Sequence, residues 1–250
     1  AVSYWEDEDS GHWEETRKVE ASSIGVVVAA LKALKQLNME SSNVSHYCRY
    51  KDKLITIELL DRLIQKGLDA LNKILPSECI QAGKERRYDS ALLFLLYPLQ
   101  ILNDEMADRI VADVINNLQG EYGIPRYLGD SFWCRDYEDI PENIRTSIST
   151  EREQWCIFDP IISTTFGIKF LKNQRAEFLE KQIFYLNRSL GQITAEDFKL
   201  GGFKCPELYY LKEGNYVPND ATPLLWTQAN LRIALRIMEQ SLNLKGVDIV

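Results

Sequence analysis

Histidine is nearly missing from this chain: His12 and His46 are the two in 250 residues. With so few imidazoles and no Cys-x-x-Cys pair, a zinc site is not expected. The sequence also has no Walker loop, no dinucleotide glycine fingerprint and no G-x-S-x-G elbow, so the chemistries those motifs serve find no support. No metal and no cofactor are expected. Positive charge is short as well, with 29 Lys and Arg against 37 Asp and Glu and a net charge of -8. Phosphates bind clustered Lys and Arg, so nucleic acid and anionic membrane surfaces are poor partners. No apolar run reaches the length of a bilayer span. The longest, Ala91 to Leu102 ("ALLFLLYPLQIL"), is short, contains a proline and reads as a buried core helix. No leader pattern opens the chain at Ala1. The five cysteines (Cys48, Cys79, Cys134, Cys156, Cys205) are odd in number and scattered. They fit reduced thiols and a cytoplasmic location better than a disulfide framework.

Hydrophobic periodicity, by contrast, is plentiful, and it is helical. Ser22 and Ser23 can cap a first helix carrying Ile24, Val27, Val28, Leu31 and Leu34. A second spans about 54–75 with the stripe Ile57, Leu60, Ile64, Leu68 and Leu71, and a third about 89–101, meeting Pro98 near its end. Asn103 caps a fourth, with Asp104 and Glu105 where the helix dipole favours them. Asp159-Pro160 opens a fifth, reaching Lys172; a sixth covers about 175–190, and Thr222-Pro223 opens a seventh that ends near Leu242. No convincing strands or low-complexity linkers are visible. The expected class is all-α, with residues 1–250 forming one domain or the C-terminal portion of a longer one.

The connections differ in length. Those between helices three and four and between five and six are short. The segment before helix one and those after two, four and six are long. If consecutive helices pack antiparallel, the long segments emerge at one end, and long loops in compact domains are usually functional. Tyr4, Trp5, Trp13, Trp133, Tyr137, Trp155, Tyr209 and Tyr210 concentrate there. So do Glu14, in "DSGHWEET", and Glu207, in "FKCPELYY". Two carboxylates facing one cleft suit glycoside hydrolysis, where one donates a proton to the leaving oxygen and the other stays ionised. Trp13 beside Glu14 would favour the protonated acid. The competing reading is a solvated acidic loop with Trp13 as its anchor.

"DSGHWEE" resembles the general-acid segment of glycoside hydrolase family 15, the glucoamylase family, and "SYW" at Ser3 to Trp5 is similar to a Tyr-Trp of its fungal members. Five stretches more closely resemble the glucoamylase-like domain of phosphorylase kinase α and β regulatory subunits. They are "ASSIGVVVAALKAL", "LQGEYGIPRYLGDSF", "REQWCIF", "PELYY" and "TPLLWTQANLRIAL", in that order along the chain. The resemblance implies an (α/α)6 toroid, of which roughly seven helices form about the second half. It implies inverting hydrolysis of α-glucosidic bonds, with Glu14 as general acid and Glu207 as general base. An inverting pair stands about 6.5–9.5 Å apart to admit a water. Glu15 matches a substrate-binding glutamate of the fungal motif, although the kinase subunits carry arginine there. Trp13, Glu153, Trp155 and Tyr209 are further candidates for lining a sugar subsite. "FWCRDY" (Phe132 to Tyr137) imitates the family's Arg-Asp segment but lies at a different place, so that role is not carried over.

Three functions follow from these residues. The first is an α-glucan hydrolase acting on maltooligosaccharides or glycogen-like polymer. The second is a glucan-sensing module that keeps the pocket without turnover, as the kinase subunits suggest. The third is a helical interaction domain. A half-toroid exposes an apolar helix face, so a homo-oligomer or a partner chain completing the toroid is expected. His12 reads as a turn residue, Cys205 as a small apolar filler and Asp9 as a solvated charge. Asn43-Val44-Ser45 and Asn187-Arg188-Ser189 match a glycosylation sequon that recurs by chance.

Overall fold

The computed structural model describes residues 5–40, 49, 50, 53–128, 130 and 153–246. His46, Cys48, Cys134, Asn43-Val44-Ser45 and Phe132 to Tyr137 lie outside them. The chain is mainly helical, and it divides into two compact units, Ala1–Ile110 and Val111–Val250. Among the described residues no helix is long and apolar enough to cross a membrane.

The first unit holds α1 (Ala21–Glu40), a short β1–β2 hairpin (Arg49–Tyr50 and Lys53–Leu54), α2 (Ile57–Ile74) and a 3-10 helix (Ser90–Leu95). Helix α2 starts where Thr56 accepts the Leu59 amide at 3.2 Å, and it buries Leu60, Ile64, Gly67, Leu71 and Ile74 against α1. Helix α1 also packs on the 3-10 helix, whose six residues are all buried. The expected α-helix over 89–101 is therefore replaced by a single compact 3-10 segment. Asp89 caps it by accepting the Ala91 amide at 2.8 Å, and Pro98, which has no amide N–H to continue the ladder, stands in the way of a longer helix. Gly25 is where α1 meets this segment, and a side chain there would overlap Leu95. Gly25→Val is expected to cost about 1–3 kcal/mol through overpacking, read as a lower midpoint in urea denaturation.

Helix α3 (Asp104–Leu118) begins as anticipated, with Asn103 accepting the Met106 amide at 2.9 Å. In the second unit α4 (Phe158–Asn173) packs against both α5 (Ala176–Gly191) and α6 (Leu225–Leu244). Its central place explains why every residue from Phe158 to Gly167 is buried, on all sides of the helix. A satellite core of Leu186, Leu231, Ala234 and Met238 joins α5 to α6, with Cys205 packed at its margin.

Three helix starts differ from expectation. Helix α1 begins at Ala21, and Ser22 turns its hydroxyl to a buried glutamate instead of capping. Asp159 lies inside the first turn of α4, where its carboxylate is bound by Arg188 and Gln192. Thr222 donates to the Asn219 carbonyl at 2.7 Å, two residues ahead of the α6 cap at Leu224.

Strands also exist where none was expected. β3 (Gln154–Trp155), β4 (Leu208–Lys212) and β5 (Asn215–Pro218) form an antiparallel sheet in that order, with Gln154 opposite Tyr209 and Tyr210 opposite Val217. The β4–β5 turn places Glu213 at φ 51 and Gly214 at φ 83, the left-handed pair a tight two-residue hairpin requires.

Candidate functional site

The acidic loop of the first unit is closed by a two-bond bridge: the Asp9 and Lys18 amides and carbonyls pair at 3.0 and 2.9 Å. Asp9 is not simply solvated. Its carboxylate accepts the Gly11 amide at 2.7 Å and the Ser23 hydroxyl at 2.9 Å, which ties the turn to α1. Gly11, at φ +58, lies so close to the Glu20 carboxylate that any side chain would overlap it. His12 stacks on Phe94 with ring centres 4.5 Å apart, and its Nδ1 is 3.1 Å from the Ser22 hydroxyl.

The Trp13 indole N–H donates to Asp89, at 3.0 Å to Oδ1 and 3.2 Å to Oδ2. Arg86 reaches both Asp89, at 3.4 Å, and Glu15, at 3.3 Å. Between the tethered Trp13 and Glu15, Glu14 is exposed with φ 54. A non-glycine residue in the left-handed region is uncommon, and its strain must be held by its surroundings. Here the Glu15 amide, donating to the Ser10 carbonyl at 3.1 Å across the turn, holds it together with the side-chain ties of Trp13 and Glu15.

Beneath the loop lies a second group of carboxylates that the sequence reading did not single out. Glu78 and Asp89 are fully buried. Glu78 accepts the Ser22 hydroxyl at 2.5 Å and the Ser22 amide at 3.2 Å. Burial, and then the charge of Asp89, raise its carboxyl well above the ordinary range. Burial likewise pushes Asp89 up to about 7, against the pull of the Ala91 amide and Arg86. Glu20, also buried, is raised by burial and partly held down by Lys18 at 2.6 Å.

In the second unit the sheet gathers the other candidates. Pairing of β3 with β4 sets Gln154 against Tyr209 and Trp155 against Leu208, and the Cys156 amide donates to the Glu207 carbonyl at 2.9 Å. Glu153, Trp155, Glu207 and Tyr209 are thus brought to adjacent backbone. Glu207 is half-buried, and its carboxylate accepts the Asn219 side-chain amide at 2.7 Å. Burial raises its carboxyl, while Asn219 and the charge of Arg126 act the other way. Arg126 is itself buried, paired to Asp130 at 2.8 and 2.5 Å, with its guanidinium carbon 5.7 Å from the Trp155 ring centre.

Tyr209 is buried. Its hydroxyl donates to the Gln192 carbonyl at 3.0 Å, and its ring stacks on Tyr122 at 5.1 Å. Tyr122 in turn lies 4.8 Å from Tyr216, so the partly exposed part of this aromatic group is Tyr122 and Tyr216. The segment carrying Tyr122 is pinned from three sides. Gln154 Oε1 accepts the amides of Tyr122 and Gly123 at 2.6 and 3.0 Å, Arg188 donates to the Gly120 carbonyl at 2.9 Å, and Gln192 donates to the Tyr122 carbonyl at 2.8 Å.

Two clusters result: Trp13, Glu14 and Glu15 over Asp89 and Arg86 in the first unit, and Glu207 with Asn219, Arg126 and the tyrosines in the second. Among the described residues no group of three or more His, Cys, Asp or Glu is placed to hold a metal ion. Tyr122 and Arg126 fall within the quoted stretch "LQGEYGIPRYLGDSF", while Asn219 carried no signal beyond a polar turn.

No family model matches the chain, and no curated protein matches it by sequence. Among solved structures it is similar to the GH76A α-1,6-mannanase of Salegentibacter sp. HEL1_6, an inactive variant with two aspartates replaced by alanine, in complex with α-1,6-mannotetraose. The TM-score is 0.55 at 9% identity, over 95% of this chain and 58% of that one. The chain therefore spans little more than half the length of the structure it matches. The likeness shows the fold: all-α, of the toroid type used by glycoside hydrolases. It does not single out glycoside hydrolase family 15.

Proposed function

We propose that this chain belongs to a glycan-acting, glycoside hydrolase-like protein that cleaves α-glucosidic bonds by inversion, with Glu14 as general acid and Glu207 as general base. The observation that carries this reading is Glu14 itself, an exposed carboxylate kept in left-handed backbone between two tethered neighbours. Strain of this kind is found where a side chain must be presented in one direction. Glu207 supports it from the second unit. A carboxylate raised by burial takes a proton from water more readily than a solvated one, yet Asn219 and Arg126 favour its ionised form. Glu15 and Trp13 would line a sugar subsite, with Tyr122 and Tyr216 offering a partly exposed aromatic face, while Glu153, Trp155 and Tyr209 are buried and would support the subsites from behind. The bound oligosaccharide of the structurally similar mannanase supports a sugar ligand in general, so α-1,6-mannooligosaccharides belong beside maltooligosaccharides in any assay.

In the full native polypeptide, Glu14→Gln and Glu207→Gln are each expected to lower product release by about 100-fold or more with the fold intact. The acidic limb of the wild-type pH profile should lie above the ordinary glutamate range. Wild-type rates in both variants would remove the assignment. A second reading, a glycan-binding module without turnover, is favoured by Tyr122 and Tyr216, a partly exposed aromatic face that can stack on sugar without any acid, while the tie of the Trp13 indole to Asp89 makes that ring an anchor of the loop. It predicts sugar binding with no new reducing ends.

A further inference from the structure

The acid loop is closed by backbone at Asp9 and Lys18 and, at its tip, by the Glu15 amide on the Ser10 carbonyl at 3.1 Å; a side chain from elsewhere in the chain then anchors that tip. Asp89 is fully buried and gathers three donors: the Trp13 indole N–H, the Ala91 amide and Arg86. One carboxylate thereby caps the 3-10 helix, orients the residue before Glu14 and, through Arg86, reaches the residue after it at 3.3 Å. Trp13 and Glu15 flank Glu14 at its positive φ, and their side-chain ties add to the Glu15–Ser10 backbone bond that closes the turn. The charged groups around Asp89 are Glu78, Glu20 and Arg86. The three donors allow Asp89 to sit buried so close to the two acids.

We infer that Asp89 is the positioning residue of the acid loop, setting the direction of Glu14 through Trp13 on one side and through Arg86 and Glu15 on the other. That Glu14 then serves as an acid rests on the function proposed above; that Asp89 orders the loop does not. The difference between asparagine and alanine at this site separates the two roles of the side chain. Asparagine keeps an oxygen for the indole and for the Ala91 amide, whereas alanine removes both.

The test uses the indole proton of Trp13, assigned by nuclear magnetic resonance in the full chain through its loss in Trp13→Phe. In the wild type it should exchange slowly with solvent. Asp89→Ala should speed that exchange by about tenfold or more, because the donor loses a charged acceptor. Read at pH 8, where wild-type Asp89 is mainly ionised, Asp89→Asn should keep partial protection and shift the resonance, because the acceptor is now neutral. On any glycan that the wild type cleaves, Asp89→Ala should lower kcat by about tenfold or more with KM little changed, and asparagine should recover part of it. If Asp89→Ala does not fold, the shift in Asp89→Asn decides alone. An indole proton with unchanged exchange and shift in the folded variants overturns the inference. Expected indole behaviour in a chain that neither binds nor cleaves any glycan upholds the positioning role and overturns the proposed function instead.

Discussion

Replacing Arg188 by methionine is expected to destabilise the protein by about 3–5 kcal/mol. Asp159 has no exposed surface in the first turn of α4, and Arg188 meets it at 2.7 Å from α5. Gln192 supplies a further donor at 2.5 Å. Removing the guanidinium leaves a buried carboxylate with one neutral partner and frees the carbonyls of Gly120 and Glu121, which Arg188 also binds. Burial already raises the Asp159 carboxyl, and the charge of Arg188 is the first influence holding it down. Without Arg188 its folded-state pKa must rise further. A group raised in the folded state stabilises below its unfolded pKa and loses that contribution as pH climbs through the folded one. The loss should therefore be larger at pH 8 than at pH 5 in urea denaturation. The double variant Arg188→Met, Asp159→Asn should recover part of it, because the stranded charge is gone. Equal losses at both pH values, with no recovery, would mean that Arg188 acts through the two carbonyls alone. The same change should loosen the segment that carries Tyr122 and Arg126.

The second large effect lies beneath the acid loop. Glu78 and Asp89 are both raised by burial, and their mutual repulsion adds to it for Glu78. Across the interval from the ordinary carboxylate range to about 7, the native state binds more protons than the unfolded state, so stability falls as pH rises. Asp89, moved from 3.8 to about 7, accounts for on the order of 4 kcal/mol of that fall. Glu78→Gln keeps an oxygen for the Ser22 hydroxyl and amide while removing one of the two charges. It is expected to raise the Tm by about 5 °C at pH 8 and to change it little at pH 5, flattening the profile. A uniform fall in Tm at both pH values would show that the Ser22 bonds require the full carboxylate.

Much of the fold was legible in the sequence because it rests on local signals. Asn103 and the stripe Leu60, Ile64, Leu71 mark helices by capping and period, and the structure keeps them. The reading of 89–101 as an α-helix went astray because an apolar run buried all round carries no period, so its length was ambiguous. Asp159-Pro160 and Thr222-Pro223 look like caps locally, but Arg188 and Gln192 claim the Asp159 carboxylate and the Thr222 hydroxyl turns back to the Asn219 carbonyl. The β4–β5 hairpin was legible and passed over: "LYYLKEGNYVP" sets aromatic residues on either side of an Glu-Gly turn.

For the site, the quoted resemblances pointed to Glu14 and Glu207, and neither Asp89 nor Asn219 stood out. A residue that works by accepting a hydrogen bond from an indole 76 positions away leaves no mark in its own neighbourhood. Pairing across the sheet is equally non-local, although it is what brings Glu153 and Trp155 to the backbone of Glu207 and Tyr209.

The most direct test of the proposed chemistry is the anomeric proton spectrum of a maltooligosaccharide, followed over time with the full native polypeptide. The account predicts a new reducing end released first in the β configuration and then mutarotating, with no release by Glu207→Gln. An unchanged spectrum from folded wild-type protein, with α-1,6-mannooligosaccharide equally untouched, would contradict it.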